Sequence, residues 1–346
     1  MAWEDQLILL NAETFSESHT PDEIYLRDSQ LKEISLCLWP ITQSRNPMNC
    51  WLHGKPGVGK TATARWMLQK IEKEARVRTV YVNCWEDPTF FSVLDRIANE
   101  LRMLGAERLS KSFKLERLKR HLSNERLVIV LDEIDQAPPK ERHAMLYNLT
   151  GLPMVGLICV CNTQHVYFDL EERIKSRLNP VQILFEEYSS DELLQVLNQR
   201  AQHALAPDTC TEELLQTIAN LANGDARIAI QTLKNAAHMA EKDGNEEIQA
   251  SHIRRAWNAA KDMERTHLLR NLTDHHHLLY ELIAKKRKVL SGDLWRMYLK
   301  TCDKRNIKPI AVRTYSDYCN ELVDLRLVQT KRAAIQGKVR EFRALD

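Results

Sequence analysis

The most informative part of this sequence is Gly54-Lys55-Pro56-Gly57-Val58-Gly59-Lys60-Thr61, which fits the phosphate-binding pattern GxxxxGK[ST], the P-loop, without a mismatch. The short apolar run 48–53 before it predicts a β-strand, and residues 62–75 after it predict an α-helix. In such a unit, backbone N–H groups and the positive end of the helix dipole surround a phosphate. Lys60 reaches the β- and γ-phosphate oxygens, and the Thr61 hydroxyl binds Mg²⁺. The motif therefore predicts a site for a nucleoside triphosphate.

Acidic residues that suit the same site follow about 70 residues later. Residues 127–131 predict a buried parallel strand, and Asp132 and Glu133 stand at its carboxyl end, where ligands of parallel sheets bind. We expect Asp132 to hold the Mg²⁺ shell and Glu133 to orient and deprotonate the attacking water. Asn162 ends the next predicted strand, where its amide can contact the γ-phosphate or the water, although asparagine also suits the turn that follows.

The rest of the chain divides by its patterns into three predicted domains. Residues 1–187 predict an α/β core with a parallel sheet. Residues 188–264 show only helical patterns, beginning with the capping box Ser189-x-x-Glu192, and predict an all-helical lid. Residues 265–346 predict a winged-helix domain, with helices at 272–284, 293–302 and 313–325 and wing strands at 327–330 and 338–343.

Charge is unevenly distributed between these domains. The whole chain has a net charge of +2, but residues 265–346 hold 18 Lys/Arg against 9 Asp/Glu, a net charge of +9. Because a basic domain favours a polyanionic partner, we expect the winged helix to bind double-stranded DNA, although a protein contact is the alternative. The expected DNA contacts are the start of the third helix, Arg313, Thr314 and Ser316, and the wing residues Lys331, Arg332, Lys338 and Arg340.

Composition excludes several other classes of function. No run of 18 apolar residues is present, so no membrane partner is expected, and the start of the chain lacks the pattern of a signal peptide. The eight cysteines form no CxxC pair and no zinc spacing. The run His275-His276-His277 lacks the i,i+4 spacing of a helical metal pair. We therefore expect a cytoplasmic, nucleoid-associated protein, or a nuclear one in a eukaryote.

Taken together, these motifs resemble the AAA+ ATPases of the replication-initiator clade, which contains archaeal origin-binding initiators, origin recognition complex subunits and the related helicase loader. The resemblance covers nearly all of the chain, from Pro21 to about Phe342. Its motifs, besides the P-loop, are Pro21-x-x-Ile24-x-x-Arg27, Val82-Asn83-Cys84, Leu131-Asp132-Glu133-Ile134-Asp135, Asn162, Arg173-Ile174-Lys175-Ser176-Arg177-Leu178 and Gly224-Asp225-Ala226-Arg227.

The resemblance implies a role for individual residues. Asn162 would be sensor 1, Arg227 the sensor 2 arginine that reaches the γ-phosphate from the lid, and Arg177 the arginine finger for a neighbouring subunit. The sequence leaves open whether Arg173 or Arg177 faces outward. The basic stretch with Arg108, Lys111 and Lys114 lies where this clade inserts a DNA-contacting helix. The expected nucleotide contacts are Tyr25, Arg27, Gly54, Pro56, Gly57, Val58, Gly59, Lys60, Thr61, Ala62 and Arg227. The apolar run Ile24-Tyr25-Leu26 either covers an adenine ring or packs against the sheet, and both alternatives stay open.

The resemblance implies a slow ATP hydrolase in which ATP or ADP, with Mg²⁺, switches DNA binding. Its expected partners are duplex DNA at an origin-like site, a replicative helicase or another recruited protein, and further copies of itself through Arg177. Glu171-Glu172 and Thr163 depart from the pattern of cellular initiators. A regulator of a mobile element or defence system, whose winged helix contacts protein, therefore stays open, as does a DNA-translocating motor.

Overall fold

The computed structural model describes residues 8–16, 19–21, 23–103, 105, 109–122, 125–270, 272–325, 327–332 and 340–344. The chain forms two compact units, residues 1–257 and 258–346. The border between them falls inside one helix, Ala250–Arg270, which also contains the predicted domain border at 264/265. Among the described residues, no helix combines the length and the apolar character needed to cross a membrane.

The first unit contains a five-stranded sheet in which every strand pairs parallel to its neighbours. The strands lie in the order β2-β3-β4-β1-β5. All residues of β3 and β4 are buried, because helices cover both faces, and this explains their continuous apolar sequence. The five strands are β1 (Cys50–His53), β2 (Arg78–Asn83), β3 (Leu127–Asp132), β4 (Val155–Cys161) and β5 (Val181–Leu184).

Helices pack on the two faces of this sheet in separate apolar clusters. One cluster contains Val128 and Val130 of β3 with residues of α1 and α2. The other contains Ile129 and Leu131 with residues of α3, α4, α5 and α7, as the period of two along a strand requires. The helices in the described residues of this part are α1 (Asp28–Thr42), α2 (Lys60–Glu74), α3 (Phe90–Glu100), α4 (Lys111–His121), α5 (Pro139–Leu149), α6 (His165–Phe168) and α7 (Glu172–Leu178).

The lid follows β5 in the chain. Its helices are α8 (Ser190–Ala204), α9 (Glu212–Ala222), α10 (Ala226–Lys242) and α11 (Ala250–Arg270), the helix in which the border between the two units falls. The N-terminal segment, residues 8–16, is part of the lid core, because Ile8 and Phe15 are buried within it. The segment is attached by main-chain hydrogen bonds, among them Leu10 N–H to the Ala204 carbonyl at 2.8 Å. No pattern in residues 1–20 predicts this attachment, because main-chain hydrogen bonds do not depend on the type of side chain.

The second unit is a winged helix. Its three-stranded antiparallel sheet has the order β6-β8-β7 and packs on three helices around Tyr298, Leu322 and Phe342. The elements are α12 (Asp274–Lys286), β6 (Val289–Leu290), α13 (Ser291–Arg305), α14 (Val312–Asp324), β7 (Val328–Arg332) and β8 (Arg340–Ala344). The predicted fold class, a parallel α/β core followed by a helical lid and a winged helix, is confirmed. Sequence analysis missed β6, which has only two residues and no periodicity to detect.

Candidate nucleotide-binding site

The P-loop connects β1 to α2 with a backbone that requires glycine at three positions. Gly57 and Gly59 have φ angles of 77° and 88°, in the left-handed region. Gly54 has no room for a side chain, because a Cβ atom there would lie 2.2 Å from the Phe185 carbonyl oxygen. Gly59 is also the N-cap of α2 and provides no side-chain cap. The first N–H groups of α2 therefore remain available to an anion.

Lys60 is held at the centre of this loop. Its side chain is buried, and its ammonium donates to the carbonyls of Gly54 at 2.7 Å and Lys55 at 2.8 Å. It also donates to Asn162 Oδ1 at 3.1 Å, which brings the P-loop lysine and the end of β4 together. Burial is the main cause that lowers the pKa of Lys60 to about 8. The group is still mostly charged at neutral pH and suits a phosphate ligand.

Asp132 ends β3 at the same edge of the sheet. It is buried, and its Oδ2 accepts from the Tyr81 hydroxyl at 2.6 Å while its Oδ1 accepts from Glu133 N–H at 2.9 Å. Tyr81 is held in turn by Arg65, whose guanidinium carbon lies 4.1 Å from the centre of the ring. Neither Tyr81 nor Arg65 was predicted at the site from the sequence, although the parallel pairing of β2 with β3 places Tyr81 on the strand beside that of Asp132.

Glu133 follows Asp132 in a left-handed conformation, with φ 51° and ψ 42°. Burial first, and then the neighbouring Asp132 and Asp135, raise the pKa of Glu133 to about 7 against the opposing charges of Arg227 and Lys60. A carboxylate with a pKa near the working pH is well suited to accept a proton from water.

Asn162 is oriented by two partners. Its Oδ1 accepts from Lys60, and its Nδ2 donates to Asp135 Oδ2 at 3.4 Å. Burial raises the pKa of Asp135. Asp135 belongs to a predicted motif but was given no role of its own, and the structure places it behind Asn162.

These groups line one cavity of about 430 Å³ within the first unit. The predicted residues Tyr25, Pro56, Gly57, Val58, Gly59, Lys60, Thr61, Ala62, Asp132, Glu133, Asn162 and Arg227 all belong to its walls. The N-terminal segment, His19 and helices α8 and α10 of the lid complete the walls. The residues of this part that were not predicted from the sequence include Phe15, His19, Gln199, Arg200 and Gln231. Nucleotide-binding clefts commonly lie between a base and a lid in this way.

The residues at the cavity also fit Mg²⁺. Thr61 and Asp132 both line the cavity, and Mg²⁺ is usually bound by one or two protein oxygens together with phosphates and water. Within the described ranges, no group of three or more His, Cys, Asp and Glu residues is placed to form an all-protein metal site.

Arg27 does not belong to the cavity wall. Its side chain is buried, and Nη2 donates to the carbonyls of Val58 and Glu186, both at 2.9 Å. Nε donates to the Tyr188 hydroxyl at 3.1 Å, and the guanidinium stacks on the Tyr188 ring at 3.8 Å. Arg27 therefore ties the P-loop to the segment that leads from β5 into the lid.

Arg177 also lies outside the cavity wall, on α7. It is exposed, and its guanidinium carbon lies 4.5 Å from the centre of the Tyr147 ring. Arg173 lies 5.6 Å from the same ring and pairs with Glu171 at 2.6 Å. The pairing partly neutralises Arg173, so Arg177 is the better placed of the two to meet another molecule, and its role as an arginine finger stays a prediction.

One expected DNA contact needs correction. Lys114 is buried, pairs with Asp95 and lies 3.7 Å from the centre of the Phe91 ring. Its ammonium is therefore not available to a phosphate, because it faces the protein on the same side of α4 as Leu118. Lys111 is half exposed and lies 3.7 Å from Glu141.

The expected contacts in the winged helix fall on α14 and the wing. Arg313 is exposed at the first turn of α14, where Thr314 and Ser316 are half-buried, and Lys331 is exposed on β7. Arg340 donates to Asn320 Oδ1 at 2.6 Å. Arg332 pairs with Arg340 in the antiparallel register. Lys338 of the wing and Arg108 lie outside the described residues.

Comparison with protein families gives three matches that cover most of the chain. A model of the AAA domain matches residues 44–168. A model of the Cdc6 AAA+ ATPase-type lid domain matches residues 194–258. A model of the C-terminal winged-helix domain of CDC6 matches residues 267–345.

Individual relatives give the same picture. The ORC1-type DNA replication protein 1 of Halobacterium salinarum is 30% identical over 307 residues, which are 87% of this chain and 98% of that protein. The ORC1-type DNA replication protein of Pyrococcus abyssi is 27% identical over 97% of this chain and 87% of its own length.

Among solved structures, the Aeropyrum pernix ORC1 protein in complex with DNA has a TM-score of 0.80 and 27% identity, covering 98% of this chain and 94% of that one. Cdc6p from Pyrobaculum aerophilum has a TM-score of 0.66 at 23% identity, covering 97% and 94%, and shows the shared fold.

Proposed function

Since this chain belongs to the family of ORC1-type (Orc1/Cdc6) DNA replication proteins, we propose that it is an initiator whose binding to duplex DNA is controlled by ATP. The observation that carries the proposal is that the P-loop, the acidic end of β3 and Arg227 of the lid all line the same cavity. A site that takes groups from base and lid gives different contacts to ATP and ADP, and such a difference is what allows a nucleotide to act as a switch.

The chain's own residues support a slow hydrolysis reaction. Lys60 and the P-loop N–H groups bind the phosphates, Arg227 binds the γ-phosphate, and Asn162 orients the water. Glu133 accepts the proton of that water, and its raised pKa favours transfer near neutral pH. Mg²⁺, held by Thr61 and Asp132, would neutralise phosphate charge. Arg177 would complete the site of a second copy of the chain.

The winged helix is the proposed DNA-binding part. Support comes from the net charge of +9 over residues 265–346 and from the exposed Arg313 at the start of α14. Further support comes from the ORC1 relative that was solved with DNA. The proposed contacts of the winged helix are Arg313, Thr314, Ser316, Lys331, Arg332 and Arg340, and Lys111 on α4 of the first unit is a further proposed contact. We place the protein at origin-like DNA in the nucleoid, where it would recruit a replicative helicase or a similar partner.

The test measures duplex affinity with ATP, with ADP and without nucleotide, for the wild-type protein and for Glu133→Gln. We expect the wild-type protein to bind the duplex with different affinities in its ATP and ADP states. Glu133→Gln should keep the duplex affinity of the ATP state for hours, because it does not hydrolyse ATP. A steep loss of affinity with salt is also expected, since several phosphates would be neutralised. Identical affinities in all nucleotide states would refute the switch.

The same measurement also tests whether the winged helix binds DNA or contacts protein. A winged helix that contacts protein would show little DNA binding at any salt concentration. Recruitment is tested separately by co-sedimentation of the DNA-bound protein with the replicative helicase of the same organism. Absence of the helicase from the ATP-bound complex would contradict that part of the proposal.

A further inference from the structure

The helix that carries Arg227 begins directly beside the P-loop. Asp225 is the N-cap of α10, and its Oδ1 accepts from the N–H groups of Arg227 at 2.9 Å and Ile228 at 3.1 Å. Only 4% of Asp225 is exposed. The cap fixes the first turn of α10 and with it the direction in which Arg227 leaves the helix.

The same short segment also contacts the phosphate-binding loop. The N–H of Ala226 donates to the Gly57 carbonyl at 3.0 Å. A Cβ atom at Gly57 would lie 2.0 Å from Asp225 Oδ1 and 2.6 Å from Oδ2, so the carboxyl group fills the space that a side chain would need. Gly57 thus serves two purposes, a positive φ angle for the loop and room for a carboxyl group from the lid.

We propose that Asp225 is a positioning residue that couples the P-loop to Arg227. The inference rests on the proposed binding of ATP in the cavity. Binding of phosphates changes the hydrogen bonds of the P-loop, and Gly57 passes that change to Ala226 and Asp225 by direct contact. Arg227 is the next residue of α10 and follows the movement of its first turn. The lid therefore responds to bound phosphates in two ways, through the contact of Gly57 with Ala226 and Asp225 and through the direct contact of Arg227 with the γ-phosphate.

The coupling differs from an ordinary structural role in what it affects. A loss of protein stability that leaves the direction of Arg227 unchanged weakens ATP and ADP binding alike. Loss of the coupling instead reduces the ratio of ATP affinity to ADP affinity, because only ATP has the γ-phosphate that Arg227 contacts. This ratio is therefore the decisive quantity.

The experiment measures Kd for ATP and for ADP by titration calorimetry, in a Glu133→Gln background so that ATP is not consumed. Arg227→Ala is expected to reduce the preference for ATP about tenfold, as loss of a charged hydrogen bond does. Asp225→Ala is expected to lose most of the same preference, and the double variant to lose no more than Arg227→Ala alone. Asp225→Asn keeps a capping oxygen of the same shape and should keep the preference.

Two further variants test whether a lost preference for ATP results only from a lost helix cap or from misfolding. Thr89→Ala removes a comparable cap, since Thr89 Oγ1 accepts from Ser92 N–H at 3.1 Å on α3, and should leave the ratio unchanged. Asp225→Gly removes the carboxyl group while glycine remains a tolerated N-cap, so it should fold and still lose the preference.

The outcomes separate this inference from the proposed function. A preference that Arg227→Ala abolishes but Asp225→Ala and Asp225→Gly retain would overturn the coupling and leave the ATP switch intact. Additive losses in the double variant would overturn it as well. If the background protein binds neither nucleotide, the proposed function fails and the coupling fails with it.

Discussion

Replacing Glu133 by glutamine is expected to stabilise the nucleotide-free protein at neutral and higher pH. The pKa of Glu133 is raised from 4.5 to about 7, so between these values the folded protein binds a proton that the unfolded chain has released. Stability therefore falls as the pH rises through this window. At about 1.4 kcal/mol for each pKa unit, the loss reaches ~3 kcal/mol above pH 7. Glutamine has the same shape and no charge, and it removes this cost.

The assay is urea unfolding of both proteins without nucleotide at pH 5.5 and pH 8. The gain expected for Glu133→Gln is ~3 kcal/mol at pH 8 and about 1.4 kcal/mol at pH 5.5. At pH 8 it corresponds to a midpoint shift of about 1 M urea if the slope is ~3 kcal/mol per M. Glu74→Gln, which changes an exposed carboxylate at the end of α2, serves as the control and should shift stability by less than about 0.5 kcal/mol at either pH. A gain that does not depend on pH, or no gain at pH 8, would refute the account of the Glu133 environment.

Three further substitutions test other parts of the structure. Lys114→Ala leaves Asp95 without its partner and should cost about 2 kcal/mol in urea unfolding with unchanged duplex affinity; weaker DNA binding at unchanged stability would restore Lys114 as a DNA contact. Arg313→Ala should weaken duplex binding about tenfold in fluorescence anisotropy and reduce the salt slope by about one, and unchanged binding would remove α14 from the interface. Tyr81→Phe removes the hydroxyl that donates to Asp132 and should change the Mg²⁺ concentration needed for half-maximal ATP binding about fivefold. An equal change of ATP affinity in the presence of a chelator would show that the hydroxyl acts on the nucleotide instead.

The parts of the site carried by contiguous motifs were predictable from the sequence. Lys60 and Thr61 follow from the P-loop, and Asp132 and Asn162 follow from the rule that parallel strands present their carboxyl ends at one edge. The structure brings Lys60 and Asn162 within 3.1 Å of each other although 102 positions separate them. A local motif together with a parallel sheet is enough to establish that proximity.

The parts that depend on which way a side chain faces were not predictable in this way. Lys114 was assigned to DNA by its charge, but it shares a helix face with Leu118 and turns inward to Asp95. Arg27 was expected at the nucleotide and instead bonds the backbone of the P-loop and the start of the lid. Net charge and motif position do not show which way a side chain faces. For Lys114 the helical periodicity does show it, because Leu118 lies four residues further on the same face.

The place of the N-terminal segment in the lid could not be predicted from the sequence either. The segment 8–16 joins the lid core mainly through backbone hydrogen bonds and three apolar side chains, Ile8, Leu9 and Phe15. Pairing between distant segments of this kind depends on the tertiary fold and leaves too short a pattern to recognise. The cavity wall that this segment provides was therefore found only in the structure.

The most direct test of the account is isothermal titration calorimetry, with Mg·ATP titrated into the wild-type protein and into Lys60→Ala. The account predicts one bound ATP per chain for the wild type and an affinity weaker by about a hundredfold for the variant, since a buried ammonium at the phosphates is lost. Absence of ATP binding by the wild type, or equal affinities of the two proteins, would contradict it.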